Sequence, residues 1–162
     1  MENFTFSLEK GMQNLSSTGG FLTVKNTENT VNTMTISWGF VGFMWTKPHF
    51  ITVVRPQRYT KDVLDVSADS FTISIPFDGK LKEELSICGT KSGRDIAKNE
   101  IVTFIDAKTV ASPIIQGCDL YYECKINLTQ QLEGSLMPPF VRQFYEKDFH
   151  YLYFGEIVEC YS

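Results

Sequence analysis

The stretch "NTMTISW" at residues 32–38 alternates small polar and large apolar side chains. A period of two belongs to a strand with one covered face. It sends Met34, Ile36 and Trp38 to one side and Thr35 and Ser37 to the other. A strand end of this composition presents backbone N–H groups and hydroxyls along one edge of a ligand; a plain amphipathic strand has the same pattern. The neighbouring sequence extends the strand reading. "NTVNTMTISWGF" (29–40) is rich in Thr, Val, Ile and Trp, "FLTVKN" (21–26) alternates behind a "TGG" turn (18–20), and "FITVV" (50–54) is a continuous apolar run suited to a central strand. Between them "GFMWTKPHF" (42–50), with its Gly and Pro, reads as a surface loop with His49 exposed.

Further along, "SFTISIPF" (70–77) alternates again and Asp78-Gly79 turns the chain. "RPQRYTKDVLDVSA" (55–68) changes character. Thr60 is the expected N-cap of a helix whose apolar positions are Val63, Leu64 and Val66. "KLKEELSICG" (80–89) has Leu81, Leu85 and Cys88 at helical spacing and Gly89 as the expected C-cap. "KTVASPII" (108–115), "LYYECKINLTQQLE" (120–133) and "HYLYFGEIVECY" (150–161) read as strands, and "MPPFVRQFYEKDFH" (137–150) leaves room for a helical turn. Six to eight strands with two or three short helices are not the alternation of a doubly wound parallel sheet. The expected class is mainly β, an antiparallel closed barrel with a few helices, in one domain over residues 1–162.

The chain has 162 residues, 43% of them hydrophobic and 14% aromatic, and a formal net charge of −4. That charge argues against a general nucleic-acid binder, which needs a basic surplus against phosphate. The four cysteines, Cys88, Cys118, Cys124 and Cys160, include no CxxC pair, and neither histidine has a partner at ligand spacing, so no metal site is expected. "MENFTFSLEKGMQ" lacks the apolar core of a signal peptide, and no apolar run approaches the ~20 residues of a membrane helix. The expected location is the cytoplasm, with reduced thiols.

Two further stretches combine cations with small polar residues. In "RPQRYT" (55–60), Arg55 and Arg58 flank a stiffening proline ahead of a helix start, a combination suited to phosphate and equally to a solvated loop with an ordinary cap. In "CGTKSGRD" (88–95), Lys91, Ser92 and Arg94 are donors and Gly89 and Gly93 allow close backbone approach; a solvated surface turn has the same composition. Asp95 is placed to pair with Arg94 or to hold the loop. This is not a phosphate-binding P-loop, because Lys91 precedes Gly93 and a helix rather than a strand leads into it. No GxGxxG fingerprint follows a strand either, so a separate dinucleotide domain is not expected.

Taken together, "NTMTISWGFVGFMWTKPHFITVVRPQRYT" (32–60), "SICGTKSGRD" (86–95) and the closing "HYLYFGEIVECY" resemble the flavin reductase-like, or flavoredoxin-like, family of FMN-binding split barrels over roughly residues 10–162. The resemblance implies a Greek-key split β-barrel with noncovalent FMN at a homodimer interface. Asn32 would begin the first binding motif. Met34, Thr35, Ile36, Ser37 and Trp38 would run beside the isoalloxazine ring and ribityl chain. Arg55, Arg58 and Thr60 would lie near the phosphate. Cys88, Gly89, Thr90, Lys91, Ser92, Gly93 and Arg94 would wrap ring and phosphate. The Phe43-Met44-Trp45 stretch would wall the ring or pack in the core. His150 matches a position where nicotinamide-using relatives carry a histidine on the substrate side of the flavin; a plain strand histidine is the other reading. Glu156 is expected to bond a buried backbone group or a cation.

The implied function is an FMN oxidoreductase reduced by NAD(P)H or by a small redox protein, with electrons passing to another acceptor. A flavoredoxin-type carrier without direct NAD(P)H activity is the alternative. A small barrel holding single-stranded nucleic acid is a third class, disfavoured by the −4 charge.

Overall fold

The computed structural model describes residues 3–162, so the first two residues of the N-terminal stretch and of the expected domain lie outside it. Seven strands form one antiparallel sheet: β1 (Gly20–Lys25), β2 (Val31–Ile36), β3 (Gly39–Met44), β4 (Lys47–Val54), β5 (Ser70–Ile75), β8 (Leu120–Gln131) and β9 (Tyr151–Tyr161). Their order is β2-β1-β5-β8-β9-β4-β3. Two short strands, β6 (Phe104–Ile105) and β7 (Ile114–Ile115), pair separately. The helices are α1 (Leu8–Ser17), α2 (Tyr59–Asp65), α3 (Lys82–Thr90) and α4 (Pro139–Arg142).

The strand order dictates the shape. The edge strands β2 and β3 are consecutive in the chain, and only Ser37 and Trp38 separate them. Laid flat, seven strands about 4.8 Å apart would hold the edges about 29 Å from each other. Three residue steps, from Ile36 to Gly39, reach at most about 11 Å. The sheet must therefore curl until its edges approach. β2 and β3 do not pair across this seam, so the barrel is split and not closed as the strand count alone suggested. Register shifts between Glu123 and Cys124 and between Ile126 and Leu128 interrupt the β8–β9 ladder, a device that bends long strands. Gly155 of β9 sits over the core, where a Cβ would lie 2.5 Å from the Phe71 ring.

Inside the curl lie Leu22, Val24, Phe50, Phe71, Ile73 and Tyr122. β5 is buried on both faces, not half-buried as its alternation suggested. Its polar face is covered by the 106–116 segment: the Thr72 hydroxyl donates to the Pro113 carbonyl at 2.6 Å, and Ser74 Oγ accepts from Ile115 N at 3.1 Å. This corrects the expected strand at 108–115. Only Ile114–Ile115 pairs as strand, because the N–H groups of Lys108 and Thr109 donate to the buried Glu123 carboxylate, both at 2.7 Å.

Three more expectations change. Residues 42–50 form a β3–β4 hairpin, turning at Trp45 and Thr46, both with positive φ (51° and 61°). His49 is buried, with Nε2 3.2 Å from Asn127 Nδ2. α1 had no counterpart in the reading, although Leu8, Met12 and Leu15 carry a helical spacing. Glu156 does hold a cation, Lys47 Nζ at 2.8 Å.

Candidate functional site

β2 floors two adjoining cavities that meet at Met34. The first, about 120 Å³, is lined by Asn32, Thr33 and Met34, by residues 57–60 leading into α2, by residues 88–94 from the end of α3 onward, and by Lys98. The second, about 270 Å³, is lined by Met34, Thr35, Ile36, Ser37, Trp38, Val53, Arg55 and His150. All three motifs thus converge on one continuous depression.

Four cations, Arg58, Lys91, Arg94 and Lys98, line the first cavity, and no acid does. α3 has no basic residue in its last turn, and its free carbonyls take these cations instead. Arg58 Nη1 donates to Gly89 O at 3.2 Å, and Lys98 Nζ donates to the carbonyls of Lys91 and, at 3.4 Å, Cys88. Burial lowers the pKa of both Arg58 and Lys98. A buried cation in this condition favours an anion beside it. Arg94 is already engaged by Asp62 and the Gln57 carbonyl (3.1 Å), and stacks on Tyr59 at 5.3 Å. Its partner is Asp62 and not the neighbouring Asp95. Lys91 has no ion-pair partner among the described residues.

Asn32 and Thr60 meet inside this cavity wall, Asn32 Nδ2 donating to Thr60 Oγ1 at 2.9 Å. Thr60 is therefore not the cap. Arg58 is the N-cap residue of α2, and Thr60 is buried in the first turn. Asn32 Oδ1 is buried without a partner. A Cβ on Gly93 would fall 2.1 Å from it, so the loop passes this closely only as glycine. Gly89 lies within α3 and not at its C-cap, which is Lys91; a Cβ there would touch Thr35 at 3.3 Å. Burial raises the pKa of the Cys88 thiol, which keeps it protonated and unreactive.

The second cavity opens at the seam. Trp38 stands there, 54% exposed, with the buried His150 ring 5.4 Å from its own. His150 Nδ1 lies 2.8 Å from the Tyr145 hydroxyl. Burial first, then the Arg55 charge, push the imidazole pKa down to about 4, so it is neutral at neutral pH. Arg55 lines this cavity and not the cationic one. It donates to Asp148 at 2.6 Å and to the Phe144 carbonyl at 3.0 Å. The Asp148 carboxyl is held far below its usual range by the Glu146 N–H, Gln57 and Arg55. Thr35 Oγ1 faces α3 and donates to the Leu85 carbonyl at 2.5 Å.

The Phe43-Met44-Trp45 stretch lines neither cavity, and its side chains are exposed rather than in the core. No group of metal-ligating side chains occurs among the described residues. Sequence reading missed Lys98, Gln57, Tyr59 and Tyr145. Lys98 and Tyr145 lie outside all three motifs, and nothing local marks them.

Comparisons with known proteins bear on the family and the fold. A family model described as "Flavin reductase like domain" matches residues 12–162. Among solved structures, flavoredoxin from Methanosarcina acetivorans is similar at 24% identity and TM-score 0.67, over 89% of this chain and 68% of that one. An FMN-binding protein from Thermus thermophilus with bound 1-cyclohex-2-enone is similar at 20% identity and TM-score 0.66, over 89% and 70%. The Streptomyces globisporus C-1027 NADH:FAD oxidoreductase in complex with NAD and FAD fragments is similar at 16% identity and TM-score 0.63, over 88% and 73%. No curated protein matches the chain.

Proposed function

The chain belongs to the flavin reductase like domain family, a flavin-related redox class, and we propose that its two joined cavities hold FMN noncovalently and make it an FMN oxidoreductase. The observation that carries this is the pairing of an acid-free cationic cavity of about 120 Å³ with an adjoining one of about 270 Å³ on the same strand. The first suits a dianionic phosphate and the second a flat ring. FMN supplies hydride and electron transfer when bound.

The residues of the chain do the rest. Arg58, Lys98 and Lys91 hold the phosphate, and the Ser92 hydroxyl adds a neutral donor. Met34 and Ile36 place the ring along β2. Trp38 and the neutral His150 border its open side, where a donor can approach, and His150 Nε2 presents either a proton or a lone pair there according to its tautomer. The Tyr145 hydroxyl, 2.8 Å from Nδ1, pairs with that nitrogen and fixes the orientation of the ring.

NAD(P)H is the proposed reductant, since a histidine and an open cavity face the ring side. A flavoredoxin-type carrier, fed by a small redox protein, is the second reading. A homodimer is proposed because β3 is an unpaired edge that leaves Phe40 on one face, Phe43 on the other and Trp45 at the turn exposed. The free thiols of Cys88, Cys118 and Cys124 suit a reducing cytoplasm, and no described helix is long and apolar enough to cross a membrane.

Anaerobic addition of NADH or NADPH to the FMN-loaded protein tests the reading. Bleaching of the flavin band is expected. A protein that binds FMN but does not bleach is a carrier, and one that takes up no FMN is neither.

A further inference from the structure

The open side of the ring-sized cavity is completed by a residue outside the three motifs. The segment between β8 and β9 returns to the end of β4, and Arg55 grips it at three points. The guanidinium donates to Asp148 at 2.6 Å and to the Phe144 carbonyl at 3.0 Å, and it stands 5.1 Å over the Tyr145 ring. Gln57 adds a second bond to Asp148, at 2.9 Å. The Phe149 ring packs on Tyr145 at 5.2 Å. Tyr145 is thereby held with its hydroxyl 2.8 Å from His150 Nδ1.

This pairing divides the work of the two ring nitrogens. Among the described residues the Tyr145 hydroxyl bonds only to Nδ1, and His150 Nε2 bonds to nothing. His150 lines the ring-sized cavity, so Nε2 is the nitrogen left for a ligand.

Two proton arrangements satisfy the pair, O–H to N or N–H to O. A phenol favours the first. Its O–H is a better donor than an imidazole N–H, and its oxygen, whose lone pairs are shared with the ring, is a poorer acceptor than the imidazole nitrogen. The Arg55 charge over the Tyr145 ring pulls electron density away from that oxygen and shifts the balance further the same way. Burial raises the pKa of the hydroxyl more than Arg55 lowers it, so it keeps its proton at neutral pH. The imidazole is neutral there as well. With Nδ1 accepting, the single proton of the neutral ring resides on Nε2.

Resting on the flavin reading above, we propose that Tyr145 is a positioning residue whose hydroxyl donates to His150 Nδ1 and so leaves the Nε2 proton for the ring-sized cavity. The open side of the flavin then presents one neutral hydrogen-bond donor. The charged groups that face His150 are Arg55, at the end of β4, and Asp148, on the same segment as Tyr145. These two are paired with each other. A ligand carboxylate would find Arg55 already taken, so the group received at Nε2 is the carbonyl oxygen of a flat, neutral ligand part.

NMR of the ¹⁵N-labelled, FMN-loaded protein tests this. The chain has two histidines, and His150→Gln assigns their ring signals by elimination. At pH 7 the His150 proton is expected on Nε2. Tyr145→Phe is expected to raise the His150 titration midpoint by about half to one pH unit, because a donor to Nδ1 stabilises only the neutral ring. Had the hydroxyl accepted from Nδ1, the same variant would lower the midpoint, since the imidazolium donates more strongly. A lowered or unchanged midpoint in the folded variant, or a proton on Nδ1 of the wild type, overturns the proposal. Benzamide, a flat ring with one carbonyl oxygen, is expected to shift the Nε2 proton of His150 and not the signals of His49. An unmoved His150 signal overturns the ligand role. Should Tyr145→Phe misfold, as seen by circular dichroism, the proton position and the benzamide response of the wild type still decide. The flavin band of the same samples reports FMN uptake separately. Its absence removes the flavin reading, while the position of the His150 proton is still read on the protein itself.

Discussion

Lys98 and Arg58 do two jobs with one set of atoms. Each donates to carbonyls at the end of α3 and each lines the cationic cavity. The helix end thus holds the cations in place before any ligand arrives, which lowers the ordering cost of binding. His150 is the other residue whose chemistry the fold sets. Its folded pKa lies near 4, below the ordinary 6.5, because burial disfavours the imidazolium. The unfolded chain then binds an extra proton between those values. Stability contributed by the neutral His150 is complete above pH 6.5 and is lost as pH falls toward 4. Chemical denaturation across that window should show a steeper loss for the wild type than for His150→Gln, and parallel profiles would contradict the assignment. The motifs around 32–38 and 88–94 were legible because each is a local pattern of hydroxyls, glycines and cations. Lys98 was not, since only the packing of its loop under α3 makes it part of the site.

At the scale of elements, local pattern succeeded where the backbone pairs with its own kind and failed where side chains intervene. β1, β2, β5, β8 and β9 read correctly from alternation or apolar runs. The 108–115 segment did not, because Glu123, Ser70 and Ser74 compete for its N–H groups. The β3–β4 hairpin was hidden by Pro48, which sits near the start of β4, and by a turn that lacks the usual Asn-Gly signal. Trp45 and Thr46 both occupy the left-handed region there, costly for a β-branched residue. Thr46→Gly should therefore stabilise the protein, by up to about 1 kcal/mol. A higher denaturation midpoint at unchanged slope is the expected result; a lower one would mean that the Thr46 side chain contributes more than its backbone strain costs.

For the whole molecule, strand order explains why a site exists where it does. Consecutive strands at opposite edges force the sheet to curl, and Ser37 and Trp38 bridge the seam that results. The ring-sized cavity opens at that seam, and the cationic cavity lies one step along the same strand, closed by α2 and α3. The mainly β class was legible in the sequence; the split was not derivable from composition or period, and entered only through resemblance. The net charge of −4 likewise concealed a cavity lined by four cations and no acid. The most direct test of the account is to compare the affinity of the protein for FMN with that for riboflavin, which has the same ring and ribityl chain but no phosphate. Charge-assisted hydrogen bonds contribute about 1.5–3 kcal/mol each, about 10- to 150-fold in affinity. FMN should bind at least tenfold more tightly than riboflavin, with the difference reduced in Lys98→Met. Equal affinity for the two flavins would contradict the phosphate assignment of the cationic cavity.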